Sequence, residues 1–247
     1  MKELVEGKTV ALVGPAGYML NSELGREIDE KDVVVRINRG IESTENYPKD
    51  IGIRTDILYS CLIETAQQSG ELNLEKWRDF YKIKYIVTPP HSDYHGISRS
   101  KQYHSMVNHR KVKKISNEIP IRIMEPKFHT EIAKNVKCKP NTGILAIFDL
   151  LQHNPKELYI YGYSFYLDGF LPGQKSGVEL EKNCTENEFA DMAFNSKRHI
   201  QKNIWSYCKE VLLKNEKVKL DKILEQILKL EKLDRKLFNE NIYTDKE

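Results

Sequence analysis

The chain has 247 residues, of which 40% are apolar and 30% charged, with a formal net charge of +3. That length buries a sizeable core in one domain with decoration, and the composition is that of a soluble globular protein. The charge is too small to imply a nucleic-acid partner, and no apolar run is long enough to span a membrane. The N-terminal MKELVEGKTV carries Glu3 and Glu6 where a signal peptide needs an apolar core, so a cytoplasmic chain is expected. Cys61, Cys138, Cys184 and Cys208 are widely spaced and match no zinc pattern, which predicts reduced structural thiols.

Val10 to Asn38 reads as a short buried strand, a glycine turn, a polar segment that starts a helix, and a second strand ending in Arg36-Ile37-Asn38. A parallel sheet needs such a glycine break where its edge receives a nucleotide phosphate. Glycines let backbone N–H groups approach the anion, and a helix N-terminus favours it. Yet Gly14-Pro15-Ala16-Gly17 lacks the dinucleotide spacing and Pro15 removes a donor, so an ordinary strand-to-helix turn fits equally well. Residues 41–50 read as a loop, Asp56–Ser60 as a third strand, and Asn73–Lys82 as a helix with Leu74, Trp77 and Phe80 at helical spacing, Trp77 being a core or groove residue. A fourth strand, Ile83–Thr88, stops at Pro89-Pro90.

The next stretch holds His91, His95, His104 and His109, with Asp93 the one acid nearby and no shared helical face, so no metal is expected. Arg99, Lys101, Arg110, Lys111, Lys113 and Lys114 read first as a solvated helix face, and second as a surface that steers an anionic partner or meets acidic lipid. A fifth strand (Ile119–Met124) and a short helix (Lys127–Lys137) follow; Asn141 or Thr142 then caps the amphipathic ILAIFDLLQH helix. ELYIYG is a sixth strand, and Tyr163–Ala193 a long glycine- and proline-punctuated loop of the kind that forms lids. A helix from Asn195, a last strand at Lys217–Leu220 and a final helix capped by Asp221 complete the chain. That last helix has a strong apolar stripe, expected to pack on the domain first, against a second copy next, and on a membrane surface last. The alternation of strands and helices makes the fold α/β with a mainly parallel sheet flanked by helices.

Two separated motifs resemble those of the sialyltransferases of glycosyltransferase family 29. The long one is matched by Val13-Gly14, Gly25, Ile28, Asp29, Asp32, Arg36, Asn38, Asp50-Ile51-Gly52 and Thr55. The short one is matched by Pro140-Asn141-Thr142-Gly143 and a strand ending at Gly162. The resemblance covers roughly residues 8–60 and 138–210 and implies a Rossmann-like GT-A variant, with residues 1–220 as catalytic domain and 221–247 as helix and tail. It implies an inverting, metal-independent enzyme without cofactor, moving sialic acid from CMP-sialic acid to a glycan or glycolipid hydroxyl. Animal members are Golgi proteins with an N-terminal anchor, so a cytoplasmic bacterial or viral relative is expected here.

The resemblance also assigns residues. Gly14, Ala16, Gly17, Asn38, Asn141, Thr142, Gly143 and Gly162 are expected at the donor. His199, the one histidine beyond Gly162, takes the place of the general base, although a shift of one helical turn would set Phe194 or Asn195 there. Histidine suits that role because its ordinary pKa lies near working pH. Tyr163 and Tyr166 resemble the phosphate-donating tyrosines of bacterial family 42 enzymes, with core or lid packing as the alternative. This chain departs from the pattern at Pro15 and at Ile204, where the family has asparagine and glutamate, and it lacks a loop histidine. A catalytically silent nucleotide-binding scaffold is the rival reading. The organising expectation is that the two glycine-marked turns meet at one rim of the sheet and grip the cytidine monophosphate.

Overall fold

The computed structural model describes residues 1–62, 73–90, 112–172, 186–235 and 238. Its centre is one sheet of seven strands, β1 (Thr9–Val13), β2 (Val33–Ile37), β3 (Ile57–Tyr59), β4 (Tyr85–Thr88), β5 (Ile121–Ile123), β6 (Glu157–Tyr161) and β7 (Val218–Leu220). The order is β5-β4-β3-β2-β1-β6-β7 and every pairing is parallel, as expected. β2 is buried along its whole length, because helices cover both faces of a parallel sheet and leave no wet side for alternation. The chain steps outward from β1 to β5, then returns to β6 on the other flank of β1. The strand order therefore reverses between β1 and β6, and an open α/β sheet takes its ligands beyond the carboxyl ends of its strands at such a point.

Much of the long motif braces these strand ends. Arg36 on β2 is 1% exposed. Its guanidinium donates to the carbonyls of Ile51 (2.6 Å) and Arg54 (3.0 Å) and to the Thr55 hydroxyl (3.1 Å). Burial lowers its pKa to about 10, so the guanidinium stays charged at neutral pH. Asp29 accepts from the amides of Ile53 and Arg54, at 2.9 and 3.0 Å. Gly52, at φ +72°, sits where a Cβ would fall 2.4 Å from that carboxylate. These residues fix the entry to β3.

Five local expectations change, the first being that the helix expected from Asn195 begins only at Gln201. The polar segment after the first glycine turn forms only the 3₁₀ turn Gly17–Met19 and, further on, the helix Gly25–Asp29, so no helix opens directly on that turn. Residues 41–50, expected as loop, lie in a 3₁₀ segment (Asn38–Glu45) and a helical turn (Pro48–Ile51). The segment after Asn73 is a π-helical turn, Lys76–Phe80; it buries Trp77 but leaves Phe80 62% exposed. The stretch beyond β6 contains a helix, Glu186–Phe194.

Asp221 does cap the last helix (Lys222–Lys229), accepting from the Leu224 amide at 2.8 Å. Leu224, Ile227 and Leu228 join the main core, so the stripe packs on the domain. Lys113 and Lys114 are exposed beside buried Ile115. The four histidines between residues 91 and 109, together with Arg99, Lys101, Arg110, Lys111 and Cys184, lie outside the described residues. Cys61, Cys138 and Cys208 are free thiols. Among the described residues no helix is long and apolar enough to cross a membrane.

Candidate functional site

The two glycine turns meet. A Cβ on Gly14, at the end of β1, would fall 2.3 Å from the Gly162 carbonyl at the end of β6, and one on Gly162 would fall 2.6 Å from the Gly14 carbonyl. Gly162 also has φ +70°, so both positions need glycine for backbone approach. The ring of Tyr163 fills the space between Gly14 and Gly143, 2.8 Å and 2.9 Å from where their Cβ atoms would stand, so the expected nucleotide grip between the two turns is corrected: a side chain occupies that space.

The amides expected to cradle a phosphate are engaged within the protein. Gly14 N–H donates to the Tyr161 carbonyl (2.8 Å), Ala16 to Gly162 (3.1 Å) and Gly17 to Gly169 (2.8 Å). The last residue of β6 and the loop after it claim them, and that loop crosses the first turn in close antiparallel contact, bridging Ala16 and Phe170. Glycine at 14 and 17 thus serves a chain crossing.

A buried network holds this crossing from behind. The Tyr18 hydroxyl donates to Asp221 (2.7 Å) and accepts from the Tyr163 amide (3.0 Å), while the Gly162 amide donates to the same carboxylate oxygen (2.9 Å). The Tyr18 amide donates to Asp168 (2.6 Å), whose carboxyl burial pushes up to about 6. Asp221 therefore caps the last helix and fixes the backbone at Gly162 together. Tyr18 and Asp221 escaped notice as partners because 203 residues separate them.

Half-buried polar groups gather on the side of β2 and β3, around the Thr142–Gln152 helix. Asn141 is its cap, accepting from the Ile144 amide at 2.9 Å. Thr142 Oγ1 lies 2.8 Å from Cys61 Sγ, and the Cys61 amide donates to Asn38 Oδ1 at 3.0 Å. The thiol is pushed up by burial, and Tyr166 is raised to about 12 by burial with a further contribution from Cys61. Asn38, Cys61 and Thr142 are thus one constellation, with Tyr166 near enough to Cys61 to interact with it electrostatically. Nothing in its sequence context marked Cys61, since only the pairing of β2 with β3 brings it beside Asn38.

The helix is pinned from below by buried Asp149, which accepts from the Tyr59 hydroxyl at 2.6 Å and pairs with Arg122. Phe165 and Tyr166 both adopt left-handed backbone, φ 52° and 60°. Such strain costs about 1–3 kcal/mol per residue and concentrates at functional sites. The Tyr163 hydroxyl, beside the start of the helix, is buried and has no hydrogen-bond partner among the described residues. An orphaned buried hydroxyl is costly and calls for a ligand or a mechanism.

His199 lies one residue before the Ile200 cap of the Gln201–Leu212 helix, with Phe194 and Asn195 back at the end of the previous one. Its Nδ1 lies 2.7 Å from the Lys139 carbonyl, two residues before Asn141. A carbonyl only accepts, so Nδ1 carries the proton and Nε2 is left with its lone pair. Burial lowers the pKa to about 4, keeping the ring neutral at neutral pH. The Lys139 amide donates back to the Arg198 carbonyl at 3.2 Å, so two contacts tie the histidine to the short motif. Ile204, where the family has glutamate, is fully buried.

Comparison with known proteins agrees with this geometry. The model of glycosyltransferase family 29 (sialyltransferase) matches residues 5–169. Beta-galactoside alpha-2,6-sialyltransferase 2 of Xenopus tropicalis is 30% identical over 165 residues, 63% of this chain and 31% of that one. The human CMP-N-acetylneuraminate-beta-1,4-galactoside alpha-2,3-sialyltransferase is 29% identical over 144 residues, 54% of this chain and 36% of that one. The chain spans about a third of the length of these curated relatives. Among solved structures, the monofunctional alpha-2,3-sialyltransferase Cst-I from Campylobacter jejuni superposes with a TM-score of 0.50 at 14% identity, over 91% of this chain and 80% of that one. That likeness supports the Rossmann-like GT-A fold. The expected cytoplasmic location is corrected by the same comparisons, because the animal sialyltransferases matched are enzymes of the Golgi lumen. With a family model covering most of its described sheet and both motifs in contact at the strand-order reversal, the chain belongs to glycosyltransferase family 29, the sialyltransferases.

Proposed function

We propose that the chain transfers sialic acid from CMP-sialic acid to a glycan hydroxyl, with inversion and without a metal ion. The observation that carries this reading is His199, held in one tautomer against Lys139 with a neutral ring and an unprotonated Nε2. A base must be neutral and aimed before the acceptor arrives, and here the short motif itself aims it. Nε2 takes the hydroxyl proton as the new glycosidic bond forms, and CMP departs with the electrons of the old one.

The leaving phosphate needs hydrogen-bond donors that are already oriented. The first glycine turn has none to give, so the phosphate falls to the Asn141-capped helix start, the Thr142 hydroxyl and the phenols of Tyr163 and Tyr166. Both phenols stay protonated at neutral pH because burial raises their pKa. Asn38, with Oδ1 held by the Cys61 amide, presents its amide nitrogen to the nucleotide. The chain has no Asp-x-Asp pair of the kind that holds a divalent ion, and a monophosphate leaving group places less charge on the site than a diphosphate. Thermal-shift titration with CMP, CDP, UDP and NAD, together with CMP release from CMP-sialic acid, tests the reading. Stabilisation by CMP and turnover that disappears in His199→Ala support it; stabilisation by NAD or an unchanged mutant overturns it.

A further inference from the structure

The span from Gly162 to Leu167 carries both phenols assigned to the donor, and Phe165 and Tyr166 within it hold left-handed backbone at φ 52° and 60°. Such backbone persists only where its surroundings over-determine it. At the start of the span the constraint is Asp221, which accepts from the Gly162 amide at 2.9 Å. At its end the constraint is Arg235, whose Nε donates to the Leu167 carbonyl at 3.1 Å. One later segment of the chain therefore pins both ends of the span.

The core holds Arg235 in place in turn. Leu233 and Phe238, on either side of it, are buried in the main core. The guanidinium also reaches a second acceptor, its Nη1 pairing with Asp191 at 3.0 Å. Asp191 lies on the helix Glu186–Phe194, which leads into His199. The same helix meets the span through aromatic rings, with Tyr166 5.4 Å from Phe170 and Phe170 5.1 Å from Phe189 between centroids. A planar fork holds two acceptors in fixed relation, which an ammonium on a flexible stem does not. Arg235 is thus a brace between the backbone that carries the phenols and the helix that precedes the histidine. Its charge also reaches Asp168, where it offsets part of the upward push of burial on that carboxyl.

We propose that Arg235 is a positioning residue for the donor, holding the Leu167 carbonyl so that the Tyr166 phenol stays aimed at the leaving phosphate; the assignment rests on the transferase reading above. The test on the full chain combines CMP titration calorimetry, hydrogen exchange over residues 163–170 and the urea midpoint. The variants are Arg235→Met, Arg235→Lys and Asp191→Asn, with Tyr166→Phe as a second background. Arg235→Met keeps the apolar stem and removes the guanidinium. It should weaken CMP about tenfold, move the midpoint little, and speed exchange at the Leu167 amide, which donates to the Ser164 carbonyl at 3.0 Å. Lysine keeps one contact and should recover part of the affinity. Asp191→Asn cuts the outer arm at a carboxylate 61% exposed, where the change leaves folding intact, and should weaken CMP about twofold, the worth of an exposed pair. In Tyr166→Phe, Arg235→Met should add no further loss, because the group it positions is gone.

Unchanged CMP affinity in Arg235→Met when wild type binds CMP, unchanged exchange, or equal losses with and without the Tyr166 hydroxyl overturns the assignment. Where Arg235→Met does not fold, Asp191→Asn carries the test, and wild-type CMP affinity in it overturns the assignment. Faster exchange in Arg235→Met of a chain that does not bind CMP keeps Arg235 as the holder of this span and removes the donor reading instead.

Discussion

The two motif regions make opposite use of their polar groups. Around Gly14, Arg36 and Asp29 the amides, carboxylates and the guanidinium have protein partners at hydrogen-bonding distance. Around Thr142 and Tyr163 a buried hydroxyl lacks a partner among the described residues, Phe165 and Tyr166 adopt left-handed backbone, and an imidazole is held neutral. A largely satisfied network rigidifies even though one of its atoms, Asp168 Oδ1, lacks a partner among the described residues, whereas a buried hydroxyl left over beside half-buried polar groups is a place prepared for something else. The first region is therefore the frame that brings strand ends into register, and the second is where we place the proposed chemistry.

The largest effect should come from breaking the frame. Gly14→Ala drives a methyl into the Gly162 carbonyl, neither backbone can yield, and a loss of about 4 kcal/mol or more is expected, read as loss of a cooperative urea transition. His199→Gln attacks the other region and should lower kcat by about 10²–10⁴-fold with the midpoint of unfolding and the affinity for CMP little changed. If the midpoint falls instead, His199 belongs to the frame.

Tyr163→Phe sharpens the contrast. Removing an orphaned hydroxyl should leave stability unchanged or slightly raised, while CMP binding weakens about tenfold by titration calorimetry. Unaltered CMP affinity would return Tyr163 to packing alone. Cys61→Ala removes the contact to Thr142 and should cost about 1 kcal/mol in stability with a small rise in the donor KM; Cys61→Ser should recover both.

The smallest effect concerns pH. If His199 is the general base as proposed, its pKa lowered to about 4 leaves it ready across the neutral range, so the acid limb of kcat/KM should fall near pH 4 and not near the ordinary histidine value of about 6.5. The same lowering gives His199 a stabilising contribution that is complete above the unfolded value and is lost as pH falls through about 4. An acid limb near 6.5 would show a ring far more solvated than this geometry allows.

Strand count and order of type, the Asn141 and Asp221 caps and the apolar faces were legible in the chain, because periodicity and capping act over a few residues. The π-turn that exposes Phe80 was not, since one inserted residue in a turn leaves the apolar spacing unaltered. Nor was the use made of the Gly14, Ala16 and Gly17 amides. Their partners come from the end of β6 and the loop after it, about 150 residues onward, and a glycine turn looks alike whether it faces an anion or another backbone.

By itself, then, the sequence determined the local elements, the parallel class of the sheet and, through two spaced motifs, the family. The tertiary structure decided which polar groups are consumed and which remain for a ligand. That division depends on side chains such as Asp221 with Tyr18, or Cys61 with Asn38, meeting across strands, and no spacing along the chain encodes whether a donor has already found its acceptor.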